Sequence, residues 1–321
     1  MLLRVENLTS YFFLDEGPLK AVDGISFHMD EKETVGLVGE SGCGKTIVAL
    51  SLLNLIPSPG RVVGGRIIFD GEDLRQVTAE RLRQIRGGGI GMVFQEPGAA
   101  LNPVYTIGYQ IAEVLRLHRG LSKHEADAEA VRLLGETGIP EPEKRARAYP
   151  FEFSGGMRQR AVIAIAISAR PRLLIADEPT TALDPTVQKE MVKLLGYLQE
   201  QYKMAILLIT HDLGVVAEMA ARVMVMYTGK LVEVAPTHDL FRAPKHPYTQ
   251  GLLNSIPRLG AGRKEPLRGI PGSVPDFLSL PSGCTFHPRC PLGDDSCKAA
   301  FPPIRDLSYL RQCACYKVDH G

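Results

Sequence analysis

Tryptophan is absent and cysteine is scarce: of 321 residues none is Trp and six are Cys. Neither sign of charge prevails, since 37 Lys and Arg stand against 36 Asp and Glu, a formal charge of +1. That balance argues against a protein whose main partner is an extended nucleic-acid backbone, so no nucleic-acid partner is expected. Long apolar runs are missing as well. Residues 161–169 (AVIAIAISA) and 205–209 (AILLI) fall far short of the ~20 residues a spanning helix needs. The opening MLLRVENLTS carries no signal-type apolar block. These absences predict a chain in the cytoplasm, with any membrane role exercised through partners. What is present, 45% hydrophobic and 23% charged residues, is ordinary for a globular protein of about two domains.

Up to about residue 235, strand-like and helix-like runs alternate. ETVGLV (33–38), RIIF (66–69), IGMVF (90–94), LLIA (173–176) and AILLI (205–209) read as strands. Helical patterns run from Lys45 to about Ile56, from Ser122 with Glu125 three residues on (a capping-box pattern) to Gly138, from Ser154 to before Pro171, and behind Asp184-Pro185. Alternation of this kind implies an α/β fold with a mostly parallel sheet. From about Arg263 the text changes, broken by Pro266, Pro271, Pro275, Pro281, Pro288, Pro291, Pro302 and Pro303. A small loop-rich unit of this kind needs a cross-link or a metal to hold it. Five of the six cysteines (Cys284, Cys290, Cys297, Cys313, Cys315) fall in its last 38 residues. In a reducing compartment such a cluster points to metal more than to disulfides.

Residues 39–46 read GESGCGKT, a full match to G-x-x-x-x-G-K-[ST] placed between a predicted strand and a predicted helix. Gly39, Gly42 and Gly44 let the backbone of Glu40, Ser41 and Cys43 wrap a polyphosphate with inward N–H groups, and the helix start adds partial positive charge. Lys45 supplies a point charge to the β and γ phosphates, and the Thr46 hydroxyl suits Mg²⁺. Cys43 reads as filler of that loop rather than as a redox switch. In LLIADEP (173–179), Asp177 and Glu178 stand at the carboxyl end of a buried strand, where open α/β sheets bind ligands. Asp177 suits the Mg²⁺ shell and Glu178 suits a base for the attacking water.

FSGGMRQR (153–160), with Ser154, Gly155, Gly156 and Gln159, resembles the signature of ATP-binding-cassette (ABC) ATPases. Other pieces follow in that family's order. Gln95 in VFQEP resembles the Q-loop glutamine, Ala182-Leu183-Asp184 the D-loop, and His211 in LITHD the switch histidine. Phe12, 33 residues before Lys45, is similar to the aromatic that stacks on adenine, with Tyr11 as second choice. Alone, each of these would be an ordinary surface, capping or packing residue. Together the resemblance implies a P-loop NTPase with a RecA-like parallel-sheet core, an N-terminal antiparallel β subdomain and an inserted helical subdomain at about 96–165. It implies ATP held with Mg²⁺ by Thr46, Gln95 and Asp177, and a catalytic set of Glu178, His211 and Gln95. It also implies that the signature caps ATP bound by a second ABC ATPase subunit, identical or related, so that ATP joins two cassettes and hydrolysis parts them. Phe153 stands where Leu is usual in the signature, a departure that removes no catalytic group.

LNP (101–103), KHPYTQGLL (245–253), IPGSVP (270–275) and GCTFHPRCP (283–291) resemble the ATPase subunits of bacterial dipeptide, oligopeptide and nickel importers over nearly the whole chain. The expected division is residues 1–262 for the nucleotide-binding domain and 263–321 for a cysteine-containing extension. The likeness implies ligands Cys284, Cys290, Cys297 and Cys315 for an iron–sulfur cluster, with Cys313 spare. The gaps C-x₅-C-x₆-C-x₁₇-C match neither paired zinc knuckles nor the compact ferredoxin run, and four thiolates suit zinc or a [4Fe–4S] cluster. His287 beside Pro288 reads as a turn residue. The implied partners are two transmembrane permease subunits and, indirectly, an extracellular or periplasmic peptide-binding protein, with the chain on the cytoplasmic face of the membrane. A DNA- or ribosome-clamping ABC ATPase would need a long inserted coiled coil or two cassettes, whereas Lys45 and Ser154 lie only 109 residues apart. A P-loop kinase or GTPase would leave FSGGMRQR and His211 unexplained.

Overall fold

The computed structural model describes residues 1–181, 183–256 and 269–318. The first stretch of chain contains β1 (Leu3–Leu14), β2 (Gly17–Met29), β3 (Thr34–Val38), β4 (Gly60–Phe69) and the short β5 (Glu72–Asp73). The middle contributes β6 (Ile90–Val93), β7 (Leu173–Asp177) and β8 (Ala205–Ile209), and the last stretch β9 (Arg222–Tyr227), β10 (Lys230–Pro236), β11 (Arg305–Ser308) and β12 (Arg311–Cys313). Two compact units result. One joins Met1–Met29, Thr34–Arg75 and the described part of Thr210–Gly321; the other joins Asp30–Glu33 and Gln76–Ile209.

The first unit holds an antiparallel sheet in the order β2-β1-β4-β5. Burial along β1 alternates through Leu3, Val5, Leu8 and Ser10, so one face packs inward and the other meets solvent. Its register with β4 shifts past Glu6 as Asn7 takes φ 48°, and opposite it Gly65 at φ 87° would bring a Cβ to 2.5 Å from the Asn7 and Glu6 carbonyls. A second set of strands runs β3 parallel to β9, then β10 and β12 antiparallel. β3 is buried at all five positions, as TVGLV dictates for a strand covered on both faces.

The second unit holds β6, β7 and β8 in parallel register, Ile90↔Leu173 and Leu173↔Ala205. Between β6 and β7 run the helices Ile107–Arg119, Lys123–Glu136 and Gly155–Ser168, which realise the expected helical insertion. The capping box is in place: Ser122 Oγ accepts from Glu125 N–H, and Glu125 accepts from Ser122 N–H at 2.9 Å. Glu129 on that helix hydrogen-bonds Arg132 and Arg119, and those partners hold its carboxyl down near about 2.

The expected boundary at 262/263 lies outside the described residues. The described part of the extension falls in the same compact unit as the phosphate loop. It is not all loop. A short helix Asp295–Ala299 and the β11–β12 pair are present, and β12 adds to β10 with Glu233↔Cys313 in register. Proline-rich text hid these pieces because each is only three to five residues long, below the length at which a period is legible.

Candidate active site

In the first unit β3 delivers the chain into Gly39, and the loop closes on helix Lys45–Leu52. Two glycines are required here by packing. A Cβ on Gly39 would lie 2.2 Å from the Met226 carbonyl of β9, and one on Gly44, at φ 105°, would lie 2.2 Å from the Ala21 carbonyl of β2. Gly42 also turns at φ 78°. Lys45 is 5% exposed, and its Nζ donates to the Gly39 carbonyl at 2.8 Å and the Glu40 carbonyl at 3.0 Å. Thr46 follows in the first helical turn, half-buried, while Ser41 and Gly42 are exposed. Cys43 is fully buried, and burial pushes its thiol above the usual range, which fits the filler role.

The aromatic candidates lie on β1. Tyr11 donates its hydroxyl to Asp23 Oδ1 at 2.8 Å, and burial with that carboxylate pushes its phenol up to about 12. Phe12 is half-buried, its ring so placed that a Cβ on Gly60 would come within 2.6 Å of it. Phe13, which sequence reading passed over, is the more exposed ring and carries the Arg61 guanidinium 4.5 Å from its centroid. His211 is exposed just beyond Thr210, whose N–H donates to the Leu37 carbonyl of β3. Asp212 then caps helix Leu213–Met219 by accepting from Gly214 and Val215 N–H.

In the second unit Asp177 ends β7 and is 1% exposed. Glu178 follows with φ 49°, a left-handed turn that L-residues adopt at a cost. Its N–H donates to the Ile209 carbonyl, and its Oε2 accepts from Thr181 Oγ1 at 2.7 Å and from Gln95 Nε2 at 3.3 Å. The structure thus brings Gln95, Asp177 and Glu178 to one end of the parallel strands. Thr181 is the member of this group that the sequence did not reveal; a hydroxyl three residues after the glutamate was the available signal.

Ser154 caps helix Gly155–Ser168, its Oγ accepting from Met157 N–H at 3.3 Å. Ser154 and Gly155 are exposed and Gly156 half-buried. A Cβ on Gly156 would lie 3.2 Å from Val187, on the helix that Asp184 caps. Asp184 Oδ1 accepts from Thr186 and Val187 N–H, capping helix Pro185–Tyr202. Ala182 lies outside the described residues. Gln159 and Phe153 are both buried; the phenylalanine fills core where a leucine would.

In the extension the four expected cysteines line one small pocket together with His246 and Phe286, while Cys313 lies elsewhere, buried on β12. Cys284 N–H donates to the Cys297 carbonyl at 2.8 Å, which ties the two segments together. Burial, with the neighbouring Cys297, Cys315 and Cys290, pushes the Cys284 thiol up to about 11. His287 bonds the Cys284 carbonyl through Nδ1 within a 3₁₀ turn, as a turn residue does. The donor set therefore fits a four-thiolate group in kind. It does not form a closed metal centre: among the described residues no three His, Cys, Asp or Glu side chains come together in a group that could hold an ion.

A phosphate loop on β3, an acidic pair ending a parallel strand and a signature at the exposed start of a helix define an ATP-binding-cassette ATPase. The ABC transporter family matches residues 22–181, and the oligopeptide/dipeptide transporter C-terminal region matches residues 232–297. The chain is 45% identical to the dipeptide transport ATP-binding protein DppD of Escherichia coli strain K12, covering 98% of this chain and 96% of the relative. It is 49% identical to the oligopeptide transport ATP-binding protein AppD of Bacillus subtilis strain 168, with the same coverage. Among solved structures it is similar to the ATP-binding cassette MJ0796, dimeric in a post-hydrolysis state with ADP and phosphate bound. That likeness has a TM-score of 0.67 at 26% identity and covers 74% of this chain and 99% of that one. The chain belongs to the ATP-binding proteins of the dipeptide and oligopeptide ABC transporters. It is thus a transport-coupled ATPase, and no helix among the described residues is long and apolar enough to cross a membrane.

Proposed function

We propose that this chain powers import of dipeptides or oligopeptides by clasping ATP between its own phosphate loop and the signature helix of a second ABC ATPase subunit. The observation that carries this reading is the exposed start of helix Gly155–Ser168. It is a second phosphate-binding edge in a chain whose phosphate loop is already complete. Lys45 and the N–H groups of 39–46 hold the β and γ phosphates. Thr46, Gln95 and Asp177 would hold Mg²⁺, which offsets phosphate charge. Glu178 accepts a proton from the attacking water, oriented by Thr181 and Gln95, and His211 reads the γ phosphate. Phe12 or Tyr11 stacks on adenine. Ser154, Gly155, Gly156, Gln159 and Asp184 form the edge that closes on the partner's nucleotide.

The chain acts at the cytoplasmic face of the membrane on two permease subunits, served from outside by a peptide-binding protein. Docking to a permease is supported by an exposed apolar patch in the second unit. Tyr105 stacks on Tyr109 at 4.7 Å, Tyr149 on Phe151 at 5.5 Å, and Ile107 N–H bonds the Ala148 carbonyl between them. Val104 and Phe151 are 70% and 68% exposed, and contiguous exposed apolar side chains mark surfaces that take partners. Solubilised native membranes should yield this chain together with two membrane-spanning chains. Phe151→Asp should lose them while the ATPase rate of the free subunit stays unchanged. Recovery without any membrane-spanning companion would sink the reading.

We also propose that Cys284, Cys290, Cys297 and Cys315 hold an iron–sulfur cluster, with zinc as the competing occupant. When bound, the group supplies the cross-link that a loop-rich extension of this size needs. Anaerobically purified protein should contain iron and acid-labile sulfide, and Cys297→Ser should lose both. A colourless protein with one equivalent of zinc contradicts the cluster.

A further inference from the structure

Glu40 places a carboxylate, of the wrong sign for the ligand, inside a loop that binds polyphosphate. The structure shows what restrains it. Arg289, from the cysteine-rich extension, forms a two-pronged ion pair with that carboxylate, NH1 to Oε2 at 2.8 Å and NH2 to Oε1 at 3.0 Å. The Arg289 side chain is only 5% exposed. Its Nε donates to the Pro271 carbonyl at 2.9 Å, and NH1 also donates to Tyr227 Oη at 3.3 Å. The guanidinium lies about 6 Å from the ring centres of Tyr227 and Phe286. On the other side the Glu40 N–H donates to Tyr248 Oη at 2.8 Å. Tyr227, Tyr248 and Phe286 pack ring to ring, with centroids 4.6 to 5.3 Å apart. The Gly229 N–H, just past β9, donates to the Cys43 carbonyl at 3.0 Å. The first turn of the phosphate loop is therefore held on its outer side by residues 227–229, 248 and 286–289.

We infer that Arg289 is a positioning residue for the nucleotide site. By fixing and neutralising Glu40 it keeps a carboxylate turned away from the phosphates and the loop in its binding shape. The extension thereby sets nucleotide affinity without touching the nucleotide. This rests on the reading of residues 39–46 as the ATP site. It does not depend on which metal, if any, the cysteines hold.

The test uses the purified full chain and titration with MgATP, with ATPase rates measured at saturation. Arg289→Gln should weaken MgATP binding at least about fivefold, the scale of a coupling between neighbouring sites, and raise KM while kcat at saturation stays within about twofold. Arg289→Lys keeps the charge but loses the fork, so its affinity should lie between those of wild type and Arg289→Gln. Glu40→Ala removes the liability, so adding Arg289→Gln to it should cause little further loss. Glu40→Ala is half-exposed at its site and keeps the cycle readable if Arg289→Gln fails to fold; in that case Arg289→Lys measured with and without Glu40→Ala supplies the comparison. Unchanged affinity in the Arg289 variants, or losses that add in the double variant, overturns the inference. Lys45→Ala separates the two levels. If Lys45→Ala also binds MgATP like wild type, the site reading itself has failed; if it alone loses nucleotide, only the role of Arg289 has.

Discussion

Glu178→Gln should abolish turnover while leaving MgATP bound. The rate is expected to fall about 10²–10⁴-fold, the usual contribution of a positioned general base. The physical ground is the placement of the carboxylate. β7 ends at Asp177, Glu178 follows in a left-handed turn, and Thr181 and Gln95 both donate to the same carboxylate oxygen of Glu178. An amide of nearly the same shape keeps most of this packing but cannot take a proton from water at neutral pH. Steady-state ATPase assays beside equilibrium binding of MgATP check the outcome. A variant that hydrolyses ATP at the wild-type rate would remove Glu178 from the base role.

Lys45→Ala should instead lose the nucleotide. The ammonium is buried and donates to the carbonyls of Gly39 and Glu40 at the mouth of the loop. Removing it deletes the point charge that faces the β and γ phosphates and leaves those carbonyls without their donor. A charge-assisted hydrogen bond contributes about 1.5–3 kcal/mol, so affinity should drop roughly 10–150-fold. Turnover falls at cellular ATP chiefly because the site is empty. Fluorescent-nucleotide titration distinguishes this from the Glu178 phenotype, in which binding survives. Equal affinities for Lys45→Ala and wild type would mean that residues 39–46 bind something other than a polyphosphate.

Local chemistry made much of this site legible in the sequence. Gly39 and Gly44 are needed because the Met226 and Ala21 carbonyls come within 2.2 Å of where a Cβ would stand. Ser122 with Glu125 and Asp184 with Pro185 mark helix starts through hydrogen bonds that span two or three residues. The fully buried strands TVGLV, LLIAD and AILLI show themselves by continuous apolar text. The rest depends on pairings across long stretches of chain. Arg289 and Glu40 are 249 residues apart, and nothing in the arginine's neighbourhood of prolines and cysteines signals its partner. The long β1 and β2 were implied by the family resemblance but not by periodicity, because bulges at Val5/Leu8 and Ser10/Phe12 break the alternation. The composition of the extension changes abruptly, whereas its pairing with β10, Glu233↔Cys313, joins residues far apart in the chain and no local pattern announces it.

We propose that ATP joins two of these subunits through the phosphate loop of one and the signature of the other. Light scattering on Glu178→Gln protein, with its natural companion subunit supplied, measures this most directly. Saturating MgATP should double the scattering mass of the separated subunits, and Ser154→Arg in the same background should prevent it. A mass that stays at one subunit with MgATP fully bound would contradict the claim.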